Sequence, residues 1–456
     1  MLDFWEQRVG MVARDGVRGP PARKERGTRF KLPAGCDGRT DPGADFWESF
    51  LRQREFRGSV LVSAMKLMSL ALAVGGVDME MVKLVCRDLE EGADIGCRGA
   101  CRGRTVSGNA ASCQLYPEQI TDTVGGWLEK GFAAGPFSKD EVPEGAKING
   151  MMCRPKPNGA VRVILNMSAP DGMSVNDGID ASEFPTEMSS TSKWLAVLNK
   201  AGKGCQMTKA DWADAYKHIW VRAADRVLQW FSWLGMFFVE LCLVFGTASS
   251  PGLYDRFAKV VLDLALAVSK FPRDMVCQYL DDVCAAAPAG SAALEQFRVA
   301  YQQVAAHLGV KLASEDDPDK AFAPTTVGTV LGVRYDTVAW TWSIPDDKLG
   351  RLNDQILAAV HAVALSRHEV WSLVGRIIHY CPLVASGRFN IHHLIKINGK
   401  AGGRNDLVPL DAGVKRQLRF WLVMLNATSG LASIPRVEER ARAWARVFYG
   451  CGWWLD

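Results

Sequence analysis

The 456-residue chain has no apolar run of the roughly 18–20 residues that a membrane span requires. Its longest, nine residues starting at Val260, is interrupted by Asp263. The N-terminus lacks the apolar core of a signal peptide, which points to an intracellular protein, cytoplasmic or nuclear, without a membrane partner. Histidine is scarce: there are seven, none before His218. The twelve cysteines form no disulfide framework, as expected in a reducing compartment. Cys86, Cys97, Cys101 and Cys113 are the only cluster. With no histidine near them in sequence, zinc would need all four, and their spacing fits no common zinc pattern. Internal repeats and low-complexity tracts are absent. A net charge of +4 is too small to identify a partner by itself.

What charge there is sits unevenly. Residues 1–44 are expected to form a basic, disordered arm, with Arg8, Arg14, Arg18, Arg23, Lys24, Arg26, Arg29 and Lys31 around Pro20-Pro21. This composition suits a solvated tail or a nucleic-acid contact, and it permits nuclear entry. Residues 45–149 read as a helical and loop extension. "SAMKLMSLALAVGG" is a helix stopped by a glycine pair, 91–115 is Gly- and Cys-rich loop, and 121–137 is a short helix capped by Thr121 or Asp122.

From residue 150 strands dominate. "AVRVILNM" follows the turn signal "KPNG", "CQMTKADW" is a second strand, and 227–246 is a buried hairpin around Leu234-Gly235. Residues 250–271 have helical apolar spacing, and 291–308 form a further helix. Residues 327–344 read as a strand pair with Val338, Trp340 and Trp342 on one side, and 346–428 read as wholly helical. The order predicts an α+β fold, with helices on one face of an antiparallel sheet.

One stretch, "VCQYLDDVCAAA" (276–287), sets Asp281 and Asp282 in an apolar run. Desolvating a carboxylate without a partner costs several kcal/mol. Either the pair faces water in a turn, or a cation sits on it. Asp211, at the end of "CQMTKAD", would meet the pair if its strand is the antiparallel neighbour. Three such carboxylates suit two Mg²⁺ ions, with Mn²⁺ as a substitute, because hard cations take oxygen ligands and serve attack at a phosphate.

These stretches resemble the reverse transcriptase family. "QYLDDV" resembles its Tyr-X-Asp-Asp turn and "KADWADAY" its first palm motif. "FGTASSPGLYDRF" resembles the second, "PDKAFAPTTVGTVLGVRYDT" the lysine motif and primer grip, and "KPNGAVRVILNMS" the fingers strand. Five motifs occur in family order between residues 154 and 345. "SVND" and "FG" look most like the polymerases of DIRS-type (tyrosine-recombinase) retrotransposons. Val244 stands where relatives usually have proline, and "NMS" where many have an aspartate and an arginine.

The resemblance implies a right-hand polymerase, with fingers and palm over 150–345 and a helical thumb or connection over 346–430. Residues 431–456 would begin an RNase H-like segment, with that activity absent. Asp211 and Asp281 would bind both ions and Asp282 would support them. Lys320 would protonate the leaving pyrophosphate. Lys156 and Arg162 would meet the incoming triphosphate, Tyr216 would exclude a 2′-hydroxyl, and Phe245 and Gly246 would lie against the nascent base pair. The partners implied are an RNA template, a DNA primer or hybrid duplex, and dNTPs. Two other readings are an element copy that only binds nucleic acid and an RNA-directed RNA polymerase, the latter disfavoured by the aromatic Tyr216.

Overall fold

The computed structural model describes residues 46–47, 62–155, 159–384, 387–399, 403 and 405–435. The basic arm, Lys156 and the 446–456 stretch lie outside the described residues. Two units interleave along the chain. One takes residues up to 188, 212–270 and 299–312, and the other takes 189–211, 271–298 and 313 onward.

The first unit is built on a five-stranded sheet in the order Thr105–Val106, Lys147–Asn149, Trp230–Trp233, Met236–Glu240, Ala133–Phe137. The apolar 227–246 stretch forms the expected hairpin. It closes at Leu234 and Gly235, both with positive φ (49° and 76°), a tight turn matched to strand twist. Phe231 and Phe238 are fully buried, with stacked rings 5.4 Å apart. The helix expected from Thr121 instead begins at Pro117, whose fixed φ and missing N–H suit a first turn. Thr121 lies inside it, donating to the Pro117 carbonyl at 2.8 Å and accepting from Trp233 Nε1 at 2.9 Å. Residues Ala133–Phe137 are a strand rather than the end of that helix. Met151–Pro155 pairs with Val161–Leu165 as a separate hairpin. The helix Ser250–Ser269 has Pro251 in its first turn and buries Leu253, Phe257, Val260, Val261 and Leu264; Val268, which the spacing also placed on this face, is only half-buried near the helix end.

The second unit carries an antiparallel sheet in the order Phe322–Thr325, Gln206–Ala210, Asp282–Ala287, Val276–Tyr279. The run after the aspartate pair is apolar because Val283 to Ala287 are all buried. The helix Thr191–Ala201, capped by Ser190, packs on this sheet and buries Trp194, Leu195 and Leu198. A second sheet orders Val327–Val330, Val333–Asp336, Thr341–Ser343 and Leu431–Ser433. It differs from the expected strand pair. Residues 327–344 make three strands, Val338 is exposed and Trp342 is buried, because a turn at 337–340 breaks the period-two pattern. The 346–428 segment holds the helices Asp346–His361, Arg367–Tyr380, His392–Asn398 and Ala412–Thr428. It is not wholly helical: Ala364–Ser366 pairs with Leu407–Pro409, a short ladder whose partners are too far apart in sequence for local periodicity to reveal.

Trp194 is fully buried, edge-on to Tyr335 with centroids 6.3 Å apart. Trp194→Ala is expected to destabilise the second unit by about 3–5 kcal/mol. The check is the urea midpoint followed by far-UV circular dichroism.

Candidate active site

Strand pairing assembles the carboxylates. Val283 pairs with Ala210 and Asp282 with Tyr279. One step beyond the first pair, Asp282 lies opposite Asp211. The reversal falls at Leu280-Asp281, with Leu280 at φ 51°, a conformation that costs a branched side chain energy and persists where surrounding structure enforces it. Asp281 therefore sits in the turn, and Asp282 begins the returning strand. All three belong to the second unit.

Two lysines join them. The Lys320 ammonium forms an ion pair with Asp211 Oδ2, and Lys209 Nζ lies 3.1 Å from Asp282 Oδ1. Asp211 is buried, and its Oδ1 has no hydrogen-bond partner. Burial, then the Asp211 and Asp282 charges, push the Asp281 carboxyl up to about 6. Burial also raises Asp282, against the Lys209 charge that lowers it. Burial would lower Lys320, but its contact with Asp211 outweighs that and holds it above the ordinary lysine value.

This donor set fits hard divalent cations. It consists of oxygens, one of them buried and unpaired, and it carries excess negative charge that a cation would relieve. Among the described residues, no three His, Cys, Asp or Glu side chains converge as a ready-made metal cage. In this state the two lysine ammonium groups supply the positive charge.

The other sequence-derived residues lie in the first unit. Tyr216 is buried, its ring 4.8 Å from Phe245 and 5.5 Å from Tyr254. Phe245 is exposed, and the Arg162 guanidinium stands 5.2 Å from its ring centroid. Gly246 has φ 111°, and a Cβ there would come within 2.3 Å of the Leu165 carbonyl. Close approach at this glycine is thus demanded by the protein's own backbone. Asn176 went unrecognised as a site residue when "SVND" was read only as a likeness. Its Nδ2 donates to the Gly246 carbonyl and to Ser168 Oγ, each at 2.8 Å, and its Oδ1 accepts from Ala248 N–H at 2.8 Å. It clamps the loop that presents Phe245. Lys209 was also missed, although period two places it on the face of Asp211.

Residues 155–315 match the family model for reverse transcriptase (RNA-dependent DNA polymerase). No curated protein matches the chain. Among solved structures, it is similar to a foamy viral protease-reverse transcriptase dRH in complex with double-stranded DNA, at 14% identity and TM-score 0.52, covering 83% of this chain and 63% of that one. It is also similar to a foamy viral protease-reverse transcriptase in complex with RNA/DNA hybrid, at 15% identity and TM-score 0.53, covering 82% and 47%. A foamy viral enzyme in complex with double-stranded DNA gives 16% identity and TM-score 0.50, covering 81% and 72%. The chain spans just under two thirds of the first of these proteins and about half of the second. Its fold is the mixed helix-and-sheet fold of right-hand polymerases, and the family-model match to residues 155–315 takes in Asp211, Asp281 and Asp282.

Because the folded state raises Asp281 above an ordinary carboxylate, ionising it costs stability as pH rises from about 4 to 6. Asp281→Asn is therefore expected to stabilise the metal-free protein above pH 6, by at most about 2 kcal/mol once solvent screening is allowed for. The gain should vanish near pH 4. Urea unfolding in EDTA across that range is the check. Asn176→Ala removes all three of its bonds and is expected to loosen the loop that presents Phe245, read as faster hydrogen exchange at the Ala248 amide.

Proposed function

We propose that the chain is an RNA-directed DNA polymerase of a retroelement, adding deoxynucleotides to a primer 3′-hydroxyl. The observation that carries this reading is the part-buried carboxylate cluster, with Asp281 pushed up to about 6 by burial and like charge, within the residues that match the reverse transcriptase family model. Perturbed carboxylates of this kind gather where a site must bind cations.

Asp211 and Asp281 would hold two Mg²⁺ ions, with Asp282 in support. Such ions would make the primer hydroxyl a better nucleophile and take up charge developing at the triphosphate. Lys320 is exposed enough to leave Asp211 and give a proton to the departing pyrophosphate. Arg162, with Lys156, would grip the β- and γ-phosphates. Tyr216 and the Phe245 ring it supports would wall the sugar against a 2′-hydroxyl. That wall favours DNA over RNA synthesis. The duplexes bound by the foamy viral enzymes suggest hybrid or duplex DNA as the partner here. The "SVND" and "FG" motifs suggest a DIRS-like element.

Primer extension on an RNA template with Mg²⁺ or Mn²⁺ tests this reading. The wild type is expected to incorporate dNTPs in preference to NTPs, and Asp281→Asn to lose at least about 10³-fold in rate. Equal signals from both proteins would sink the catalytic assignment and leave a nucleic-acid-binding protein.

A further inference from the structure

Lys209 has no role in the mechanism just described, yet it is the best-placed cation in the cluster. It lies mid-strand in Gln206–Ala210, two residues before Asp211, and is only 7% exposed. Its Nζ lies 3.1 Å from Asp282 Oδ1 and donates to the Asp319 carbonyl at 2.9 Å. The neighbouring Thr208 Oγ1 donates to the Phe322 carbonyl at 2.7 Å. These bonds tie the loop that carries Lys320 to the strand that carries Asp211.

The two lysines therefore differ in kind. The Lys320 side chain is half exposed and hangs from a loop, so it can swing into water when another cation arrives. Lys209 is buried on a central strand, with a fixed carbonyl and a fixed carboxylate as partners. Removing it from Asp282 would leave a buried ammonium without its carboxylate, at the cost of an unpaired buried charge, beside an Asp282 that is only partly exposed to water. A divalent ion can displace Lys320 and has no comparable route past Lys209.

We propose that Lys209 is a built-in counter-cation of the cluster: it holds Asp282 as a structural ion pair apart from the divalent-ion ligands, and its charge limits how tightly those ions bind. The inference rests on the reading of Asp211 and Asp281 as ion ligands, and it adds a residue that tunes them. A fixed positive charge beside a cation site weakens binding by Coulomb repulsion, most strongly where water is excluded.

The test is Mn²⁺ binding to the full chain without nucleic acid or nucleotide, by calorimetry and by the electron paramagnetic resonance signal of free Mn²⁺, with melting of the metal-free protein in parallel. Lys209→Met is expected to tighten Mn²⁺ about tenfold and to lower the metal-free melting temperature by about 5 °C. Lys209→Arg should keep both near wild type. The double variant Lys209→Met with Asp282→Asn removes both charges and leaves no orphan. It should melt near wild type and bind Mn²⁺ within about twofold of it. The double variant also decides the matter if Lys209→Met fails to fold. Unchanged or weaker Mn²⁺ binding in Lys209→Met overturns the inference, as does loss of binding in the double variant, which would make Asp282 a ligand. Absence of Mn²⁺ binding in every protein overturns it together with the two-ion reading. The titration needs no turnover, so a wild type that binds Mn²⁺ as expected but extends no primer sinks the polymerase proposal alone.

Discussion

The second unit depends on one unfavourable interaction held in place, the crowding of three carboxylates at the end of a four-stranded sheet. Separate chains would never hold these groups together, because like charges in a partly dry site repel and each pays for lost hydration. The sheet compels it. Val283 against Ala210 and Asp282 against Tyr279 fix the register, and a slip of one residue would turn the set to the opposite face. The apolar flanks are the other half of the device. Val283 to Ala287 bury themselves beneath the Thr191–Ala201 helix and anchor the strand from which the acids project.

The cluster survives because it is charge-compensated in two ways. Lys320 covers Asp211 from a loop and Lys209 covers Asp282 from within the sheet. What remains uncompensated is concentrated on Asp281 and the unpaired oxygen of Asp211, where a hard cation gains most. The same logic of fixed support behind a presented group recurs in the first unit. Phe245 is exposed, but the residues around it are constrained: Tyr216 backs its ring, Leu165 leaves room only for a glycine at 246, and Asn176 bonds both sides of the loop.

Much of this was legible along the chain. The glycine pair after Val74, the Leu234-Gly235 turn and most of the buried face of the Ser250–Ser269 helix follow from local rules of period and turn chemistry, whereas the reversal expected at Asp282 falls one residue earlier, at Leu280-Asp281. The misreadings have two causes, a local signal that outranks another and a partner distant in sequence. Thr121 looked like a cap because Pro117 had not been weighed as the first helical residue. Val338 and Trp342 looked like one face because a turn resets the alternation. The Ala364–Ser366 ladder needed a partner about forty residues away. Asn176 was visible as a letter in a motif, but its three bonds reach residues up to 72 positions distant.

The sequence alone determined the carboxylates themselves, the apolar frame that makes their company unusual, and the strands and helices that carry them. Those properties are written in nearest neighbours and short periods. Only the tertiary structure decided which cation answers which acid, that Asp282 belongs to Lys209, that Gly246 yields to Leu165, and that Asn176 clamps the Phe245 loop. These are contacts between segments far apart in the chain. Their energies depend on distance and burial, which no local pattern encodes, and so they come into being only when the sheet closes.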